Sequence, residues 1–316
     1  MRKFDSCLRT LFFFITVIIL VSGCKTESGK GSWKDYGGSP DQSKYVLAED
    51  INKSNVAQLD VAWSYSTGDE RIYQWNPIVV DTIMYVLAKN SSLVALNVIT
   101  GKEIWIHSNL RGIASRGINY WESKDRKDRR LLFQMNNYLQ AIDALTGKSV
   151  LTFGNKGLVD LKEGLGYDPK TIGRVQSNTP GKVFENLLLL GSAPGESYIS
   201  PAGHLRAYDV ITGKLVWIFH TVPQPGEYGY DTWPKDAYKY IGGVNTWGEI
   251  SVDEKEASLI IPWALLLMII MVPTGLEKNL FGNSILALDA RTGKRLWHFQ
   301  TVHMICGIMI LPLHLN

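Results

Sequence analysis

The chain has 316 residues, of which 45% are hydrophobic and 20% are charged, a composition typical of globular proteins and not of disordered ones. Its 33 basic and 30 acidic side chains leave a net charge of +3, and no basic stripe runs through the sequence. The charge therefore excludes any electrostatic reason to expect a nucleic-acid partner. The length suffices for one large domain or two ordinary ones.

The first 24 residues have the pattern of a secretory signal. Basic residues precede an apolar stretch, residues 11–21, which is too short to span a bilayer. The stretch ends in "VSGC", and small residues before a cysteine at this place are typical of a bacterial lipoprotein. We therefore expect residues 1–24 to be a lipoprotein signal peptide with lipidated Cys24, followed by a polar tether, residues 25–32. A plain signal anchor with an incidental Cys24 is the alternative.

Four segments share one repeated pattern: Ala, any residue, Asp or Asn, two residues, Thr-Gly-Lys, two residues, then Trp or Leu. The alternation before the turn predicts a strand with one buried face, and the glycine suits a tight turn. The Trp beyond the turn opens the next strand, and burying its ring between sheets contributes on the order of 2–3 kcal/mol. Leu151 replaces this Trp in the second copy, which we expect to be weaker. The segments are "ALNVITGKEIW" (95–105), "AIDALTGKSVL" (141–151), "AYDVITGKLVW" (207–217) and "ALDARTGKRLW" (287–297).

Other parts of the chain fit a meander of short strands. Residues 77–88 and 183–191 are apolar runs of strand length, and no long amphipathic helix is predicted. The shortest separation between repeats suits a four-stranded propeller blade, and the longer ones suit blades with inserted loops. We therefore predict an all-β fold, a β-propeller, with a β-sandwich as the alternative.

The repeat resembles the tryptophan-docking motif of the quinoprotein dehydrogenases, eight-bladed propellers that use pyrroloquinoline quinone (PQQ). The resemblance implies that residues 33–316 form a partial propeller, with only about half of the eight-bladed ring present. Ala114 and Ser115 stand where the alcohol-oxidising relatives carry two cysteines, which favours the membrane-associated glucose dehydrogenase-like branch. The supporting segments are residues 33–69, "SRGINYW" (115–121), "GSAPGES" (191–197), "FHTVPQPGEYGYDTWP" (219–234) and "GGVNTWGEISVDE" (242–254).

The resemblance also implies roles for individual residues. Arg116 matches an arginine that contacts the quinone, and a delocalised cation suits quinone and carboxylate oxygens. Trp247 matches the tryptophan beneath the PQQ ring system, and Glu196 matches a carboxylate ligand of a calcium ion beside PQQ. Ser177 and Thr179 lie where the family places a hydroxyl on a PQQ carboxylate. The alternatives are a surface ion pair for the arginine, ordinary packing for the tryptophan and a solvated loop position for the glutamate.

Residues 256–275 break the propeller pattern with a long uncharged run. A membrane helix is one interpretation, but the run falls short of the usual length and contains Pro262. A shift of reading frame is the other. If the codons are read one base earlier, the junction of Trp263 and Ala264 must encode Gly. The junction of Met268 and Ile269 must then encode Asp. Both residues are similar to the sequence that the family has at this place.

The tail, residues 304–316, is explained by the same shift. After His303 the shifted codons permit "HHDLWDYDL", which resembles a family element of this type. We therefore expect residues 256–275 and 304–316 to be frameshifted. The general-base aspartate of the family lies in the lost element after His303, so we expect no catalytic residue here, poor folding and no dehydrogenase activity.

The expected function is that of a PQQ- and calcium-dependent oxidoreductase acting on the CH–OH group of a sugar or alcohol. The resemblance implies that electrons leave to a membrane quinone or a cytochrome, and that the protein is lipid-anchored in the bacterial cell envelope, facing the periplasm. A non-catalytic propeller lipoprotein that serves as an assembly scaffold is the alternative. Cofactor-site residues discriminate between the two, because a scaffold has no need of them.

Overall fold

The computed structural model describes residues 33–46, 48, 50–70, 74–195, 199–246, 248–265 and 279–301. The expected signal and tether, the tail 304–316, Glu196, Trp247 and residues 266–275 of the 256–275 stretch lie outside the described residues. Within the described residues nearly all regular structure is β-strand, arranged in four antiparallel sheets, so the all-β prediction is confirmed. The helical elements among those residues are three single 3-10 turns, Val56–Gln58, Tyr230–Thr232 and Ala237–Lys239.

The first two sheets are each a meander of four consecutive strands, the architecture of a propeller blade. The first comprises β1 (Ile78–Val80), β2 (Ile83–Ala88), β3 (Ser92–Asn97) and β4 (Glu103–His107). The second comprises β5 (Asn119–Glu122), β6 (Arg129–Met135), β7 (Tyr138–Asp143) and β8 (Leu158–Asp160).

The third and fourth sheets follow the same plan. The third comprises β9 (Lys182–Phe184), β10 (Leu187–Leu190), β11 (Leu205–Asp209) and β12 (Leu215–Phe219). The fourth comprises β13 (Val244–Thr246), β15 (Ser258–Leu265), β16 (Ser284–Asp289) and β17 (Arg295–Gln300), and β14 (Ser251–Asp253) also pairs with β15. The predicted apolar runs at 77–88 and 183–191 are the hairpins β1–β2 and β9–β10.

Strand β15 bears on whether residues 256–275 form a membrane helix. It pairs antiparallel with β13, β14 and β16, so the described part of this stretch is a sheet strand and not part of a membrane helix. Across the part of the chain that the structure describes, no helix has the length and apolar character needed to cross a bilayer.

The hydrophobic core lies between successive sheets. Neighbouring residues of a strand point to opposite faces, and Leu131 and Leu132 of β6 accordingly belong to different clusters. Leu131 packs in the cluster shared with the first sheet, and Leu132 in the cluster shared with the third. Leu188 and Leu189 of β10 divide in the same way between the second and fourth sheets. Sheets covered on both faces explain the continuous run "LLLL" at residues 187–190.

The four repeats form the turns that follow the third strand of each meander. In the third repeat, the Oδ1 atom of Asp209 accepts hydrogen bonds from the backbone N–H of Thr212 at 2.6 Å and from its hydroxyl at 2.7 Å. Gly213 has a φ of 75°, which a residue with a Cβ rarely adopts. The Asx-type turn expected from the sequence is therefore present.

Tryptophans fasten one sheet to the next through these turns. The Nε1–H of Trp105 on β4 donates to the carbonyl oxygen of Ala144 at 3.1 Å, and its ring lies against Gly147. A Cβ at Gly147 would approach the Trp105 ring to 2.6 Å, so the position requires glycine. The same arrangement joins Trp63 to Val98 and Gly101, and Trp217 to Ala290 and Gly293.

The junction between the second and third sheets lacks this tryptophan. Leu151, which takes its place in the repeat, is 68% exposed and does not dock between the sheets. Arg130 on β6 lies there instead and is only 4% exposed. Its Nη1 donates to the carbonyl oxygens of Val210 at 3.0 Å and Ile211 at 2.8 Å, while its Nη2 donates to Asp128 at 2.6 Å.

Candidate functional site

A cavity of about 390 Å³ opens where loops of three sheets meet. The loop before β5, the loop between β8 and β9, the loop after β10 and the strand β13 all contribute to it. Arg116 and the pair Ser177 and Thr179, which the sequence predicts from two separate segments, all line this one cavity. The described lining consists of Arg116, Arg174, Ser177, Asn178, Thr179, Ala193, Pro194, Gly195, Asn245 and Thr246.

The described lining is positively charged. Arg116 and Arg174 contribute guanidinium groups, and no described residue of the lining carries a carboxylate. Arg116 is half-buried, whereas Arg174 is exposed at the rim. The Nε of Arg174 donates to the carbonyl oxygen of Gln176 at 3.1 Å, and its Nη2 donates to Asn178 at 3.3 Å. Two guanidinium groups beside a cavity suit a ligand that carries carboxylates.

Two buried hydroxyls form a pair on one wall. The Oγ of Ser177 and the Oγ1 of Thr179 lie 2.7 Å apart, and the backbone N–H of Thr179 donates to the Ser177 Oγ at 3.2 Å. The pair carries two hydroxyl hydrogens, and the bond between the hydroxyls uses one of them. The second hydrogen is left for a bound acceptor, whichever hydroxyl donates within the pair. The wall is therefore built to donate to an oxygen of a ligand.

A third hydroxyl has no hydrogen-bond partner among the described residues. Thr246 is 4% exposed, and its buried Oγ1 atom makes no hydrogen bond there. A hydroxyl buried in this state costs about 1–3 kcal/mol relative to one that is bonded. A Cβ at Gly191 would lie 2.7 Å from this atom, so glycine lets the loop after β10 approach the strand β13 closely. Thr246 thus places an unpaired hydroxyl within the cavity wall.

The N-terminal segment fixes the position of Arg116. The ring of Tyr36 lies against Gly117, where a Cβ would approach it to 2.6 Å. Asn76 connects the two segments, because its backbone N–H donates to the Arg116 carbonyl at 3.1 Å and its Nδ2 donates to the Tyr36 carbonyl at 3.2 Å. Burial and the nearby Glu249 raise the pKa of the Tyr36 phenol, which Arg116 opposes.

Several lining residues were not selected from the sequence. Asn245 and Thr246 directly precede Trp247 in "NTWG", so the segment carried a signal. Arg174 lies three residues before Ser177, and nothing in the sequence beyond its charge indicated a role. Glu196 and Trp247 are outside the described residues, and the structure tests neither role, although the adjacent Gly195 and Thr246 line the cavity.

A calcium site is not visible in the described lining, which offers neutral oxygens and cations. No group of three or more His, Cys, Asp or Glu side chains suited to a metal ion occurs among the described residues. The described residues thus fit an organic anion such as PQQ, a tricarboxylate with quinone oxygens, and do not by themselves fit a divalent cation. The calcium assignment depends on Glu196.

The stacked sheets define a β-propeller, and a cavity lined by two arginines opens among its blade loops. Residues 33–305 match the family model described as PQQ, glucose/ethanol/alcohol dehydrogenase, beta-propeller domain. The chain therefore belongs to this family of quinoprotein dehydrogenase propellers.

The similar proteins are named as quinoprotein, quinone or quinohemoprotein dehydrogenases. The chain is 28% identical over 330 residues to quinoprotein glucose dehydrogenase A of Acinetobacter calcoaceticus, covering 90% of this chain and 39% of that protein. It is 31% identical over 309 residues to the dehydrogenase subunit of alcohol dehydrogenase (quinone) of Gluconobacter oxydans, covering 87% and 38%. Quinohemoprotein alcohol dehydrogenase from Comamonas testosteroni superposes with a TM-score of 0.68 at 25% identity, covering 88% and 42%. The chain thus spans about two fifths of the length of these relatives.

Proposed function

We propose that this chain binds PQQ in the cavity at Arg116 and belongs to an oxidoreductase that oxidises the CH–OH group of a sugar or alcohol. The observation that carries the proposal is the chemistry of the cavity wall. Two guanidinium groups, one hydroxyl hydrogen left by the Ser177–Thr179 pair and the unpaired hydroxyl of Thr246 border a space without any described carboxylate. This set suits a polycarboxylate with quinone oxygens.

Each residue has a separate task in this proposal. Arg116 binds the quinone or carboxylate oxygens and holds the cofactor against the floor of the cavity. Thr179 and Ser177 together donate one hydrogen bond to a carboxylate. Trp247 supplies a flat surface for stacking, and Glu196 supplies an oxygen ligand for calcium. PQQ, when bound, accepts the hydride of the substrate.

The proposal extends to location and electron acceptor. The relatives include a quinoprotein glucose dehydrogenase and an alcohol dehydrogenase (quinone). By analogy, the electrons leave to a membrane quinone or a cytochrome, and the protein faces the periplasm. The "VSGC" sequence supports an anchor on lipidated Cys24 that holds it at the membrane. Labelling with a radioactive fatty acid, compared with a Cys24→Ser variant, tests the anchor.

Titration of the purified 316-residue chain with PQQ tests the cofactor. Binding is expected to quench the tryptophan fluorescence, and Arg116→Gln is expected to weaken it about tenfold or more, because a charge-assisted contact is lost. Lys124→Gln, an exposed change away from the cavity, is the control. The calcium proposal expects tighter binding with calcium than with EDTA, and no difference after Glu196→Gln. A chain that is folded by circular dichroism but binds no PQQ would leave the scaffold function as the better account.

A further inference from the structure

Gln134 on β6 is 1% exposed and does not line the cavity, yet both ends of its amide reach the loop that does. Its Oε1 accepts the backbone N–H of Ser177 at 3.1 Å. Its Nε2 donates to the carbonyl oxygen of Thr179 at 3.0 Å. The amide therefore spans the two residues that carry the hydroxyl pair. Its orientation is fixed, because an N–H requires the oxygen and a carbonyl requires the nitrogen.

The backbone of the same residue reaches the other side of the cavity. The carbonyl oxygen of Gln134 accepts the N–H of Ala114 at 2.9 Å, two residues before Arg116. One residue thus holds the segment that carries the guanidinium and the loop that carries the hydroxyls. Water does not compete for these bonds, because the side chain is buried. Gln134 therefore bonds to both segments that border the cavity.

We propose that Gln134 is a positioning residue for the cofactor: it holds the hydroxyl pair of Ser177 and Thr179 at a set distance from Arg116, so that both contact one bound anion. The inference rests on the proposed function, in which that anion is PQQ. Gln134 acts through the loop and does not itself touch the ligand. A residue that merely stabilises the sheet would lower the stability of the protein without changing how Ser177 contributes to binding.

A double-mutant cycle on the 316-residue chain separates these roles. The dissociation constant of PQQ is measured by tryptophan quenching for the wild type, for Gln134→Met, for removal of the hydroxyl pair (Ser177→Ala with Thr179→Val, treated as one change) and for the combination. We expect each single change to weaken binding about tenfold and the combination to weaken it little further, because Gln134 acts through the hydroxyl pair. Gln134→Glu keeps the acceptor for Ser177 and loses the donor for Thr179, and it replaces Gln134→Met if that variant fails to fold.

Gln140→Met is the matched control, because Gln140 is buried in the same sheet and contacts His107 and Ser149 instead of the cavity loop. It should leave the PQQ affinity unchanged. Affinity within twofold of wild type in a folded Gln134 variant overturns the inference, and so do single effects that multiply in the combination. Absence of PQQ binding by the wild type contradicts the proposed function instead, so the two failures are distinguishable.

Discussion

The guanidinium of Arg130 donates to the carbonyl oxygen of Val210 at 3.0 Å and so makes the bond that a tryptophan makes at the other junctions between sheets. Val210 follows the aspartate of the third repeat, as Ala144 and Ala290 follow theirs, and those two carbonyls accept from Trp105 and Trp217. The second repeat has lost its tryptophan, but a residue from another strand supplies the donor.

Arg130 should therefore be important for stability. Replacing it with Met removes the bonds to Val210 and Ile211 and leaves their carbonyls unpaired between two sheets. We expect a loss of about 3 kcal/mol in the free energy of unfolding, measured by urea titration. Arg126→Met, a change at an exposed arginine three positions before β6 whose partners are the carboxylates of Asp81 and Glu122, should cost far less. Equal losses would show that the junction does not depend on Arg130.

Thr246→Val should separate stability from binding. The change removes a buried hydroxyl that has no partner among the described residues, and it keeps the shape of the side chain. We expect the free chain to become more stable by about 1 kcal/mol, and the affinity for PQQ to fall. Thr221→Val is the control, because Thr221 is equally buried but lies beside His204 and outside the cavity lining. A destabilised Thr246→Val variant would mean that the hydroxyl is bonded in the free protein.

Ionisation of Glu122 should make the free energy of unfolding depend on pH. Burial raises the pKa of its carboxyl, but hydrogen bonds from Tyr120, Lys34 and Arg126 outweigh this and lower it to about 2, from 4.5. Because the folded-state pKa is lowered, the stabilisation is complete above pH 4.5 and is lost as the pH falls toward 2. The amount is on the order of 2 kcal/mol after allowance for partial exposure.

Urea titrations between pH 5.5 and pH 3 measure this effect. Glu122→Gln should be less stable than the wild type at the upper pH, and the difference should shrink toward the lower one. Glu256→Gln, a change at an exposed position, should follow the wild type throughout. A constant difference between Glu122→Gln and the wild type would contradict the lowered pKa.

The reading-frame hypothesis makes a prediction about the gene. Resequencing the coding DNA from the codon of Ser251 to that of Asn316 should find single-base differences near Lys255, Leu276 and His303. DNA that stands as translated would indicate a decaying gene.

Much of the fold was predictable because its signals are local. Turn residues and alternating apolar runs specify strands over a few positions. The four repeats therefore predict the four sheets from the sequence alone. Arg116, Ser177 and Thr179 were also found in short motifs. Gln134 was not found, because its importance arises from hydrogen bonds to residues on a distant loop. Arg130 was missed for a similar reason, since its partner Val210 belongs to another sheet and no pattern links an arginine to a tryptophan position.

The tryptophan hydrogen bonds between sheets have the same order along the chain at each junction. The tryptophan lies on the earlier segment, and the carbonyl that accepts its hydrogen bond lies on the later one. During synthesis, Trp105 leaves the ribosome well before Ala144. Its ring therefore stays exposed to water until the turn that contains Ala144 has been synthesised. Trp217 waits in the same way for Ala290. On the last described strand Trp297 is still 48% exposed. The fluorescence emission of each indole should therefore shift to shorter wavelength when the following sheet folds against it. The emission wavelength thus reports when each sheet has formed.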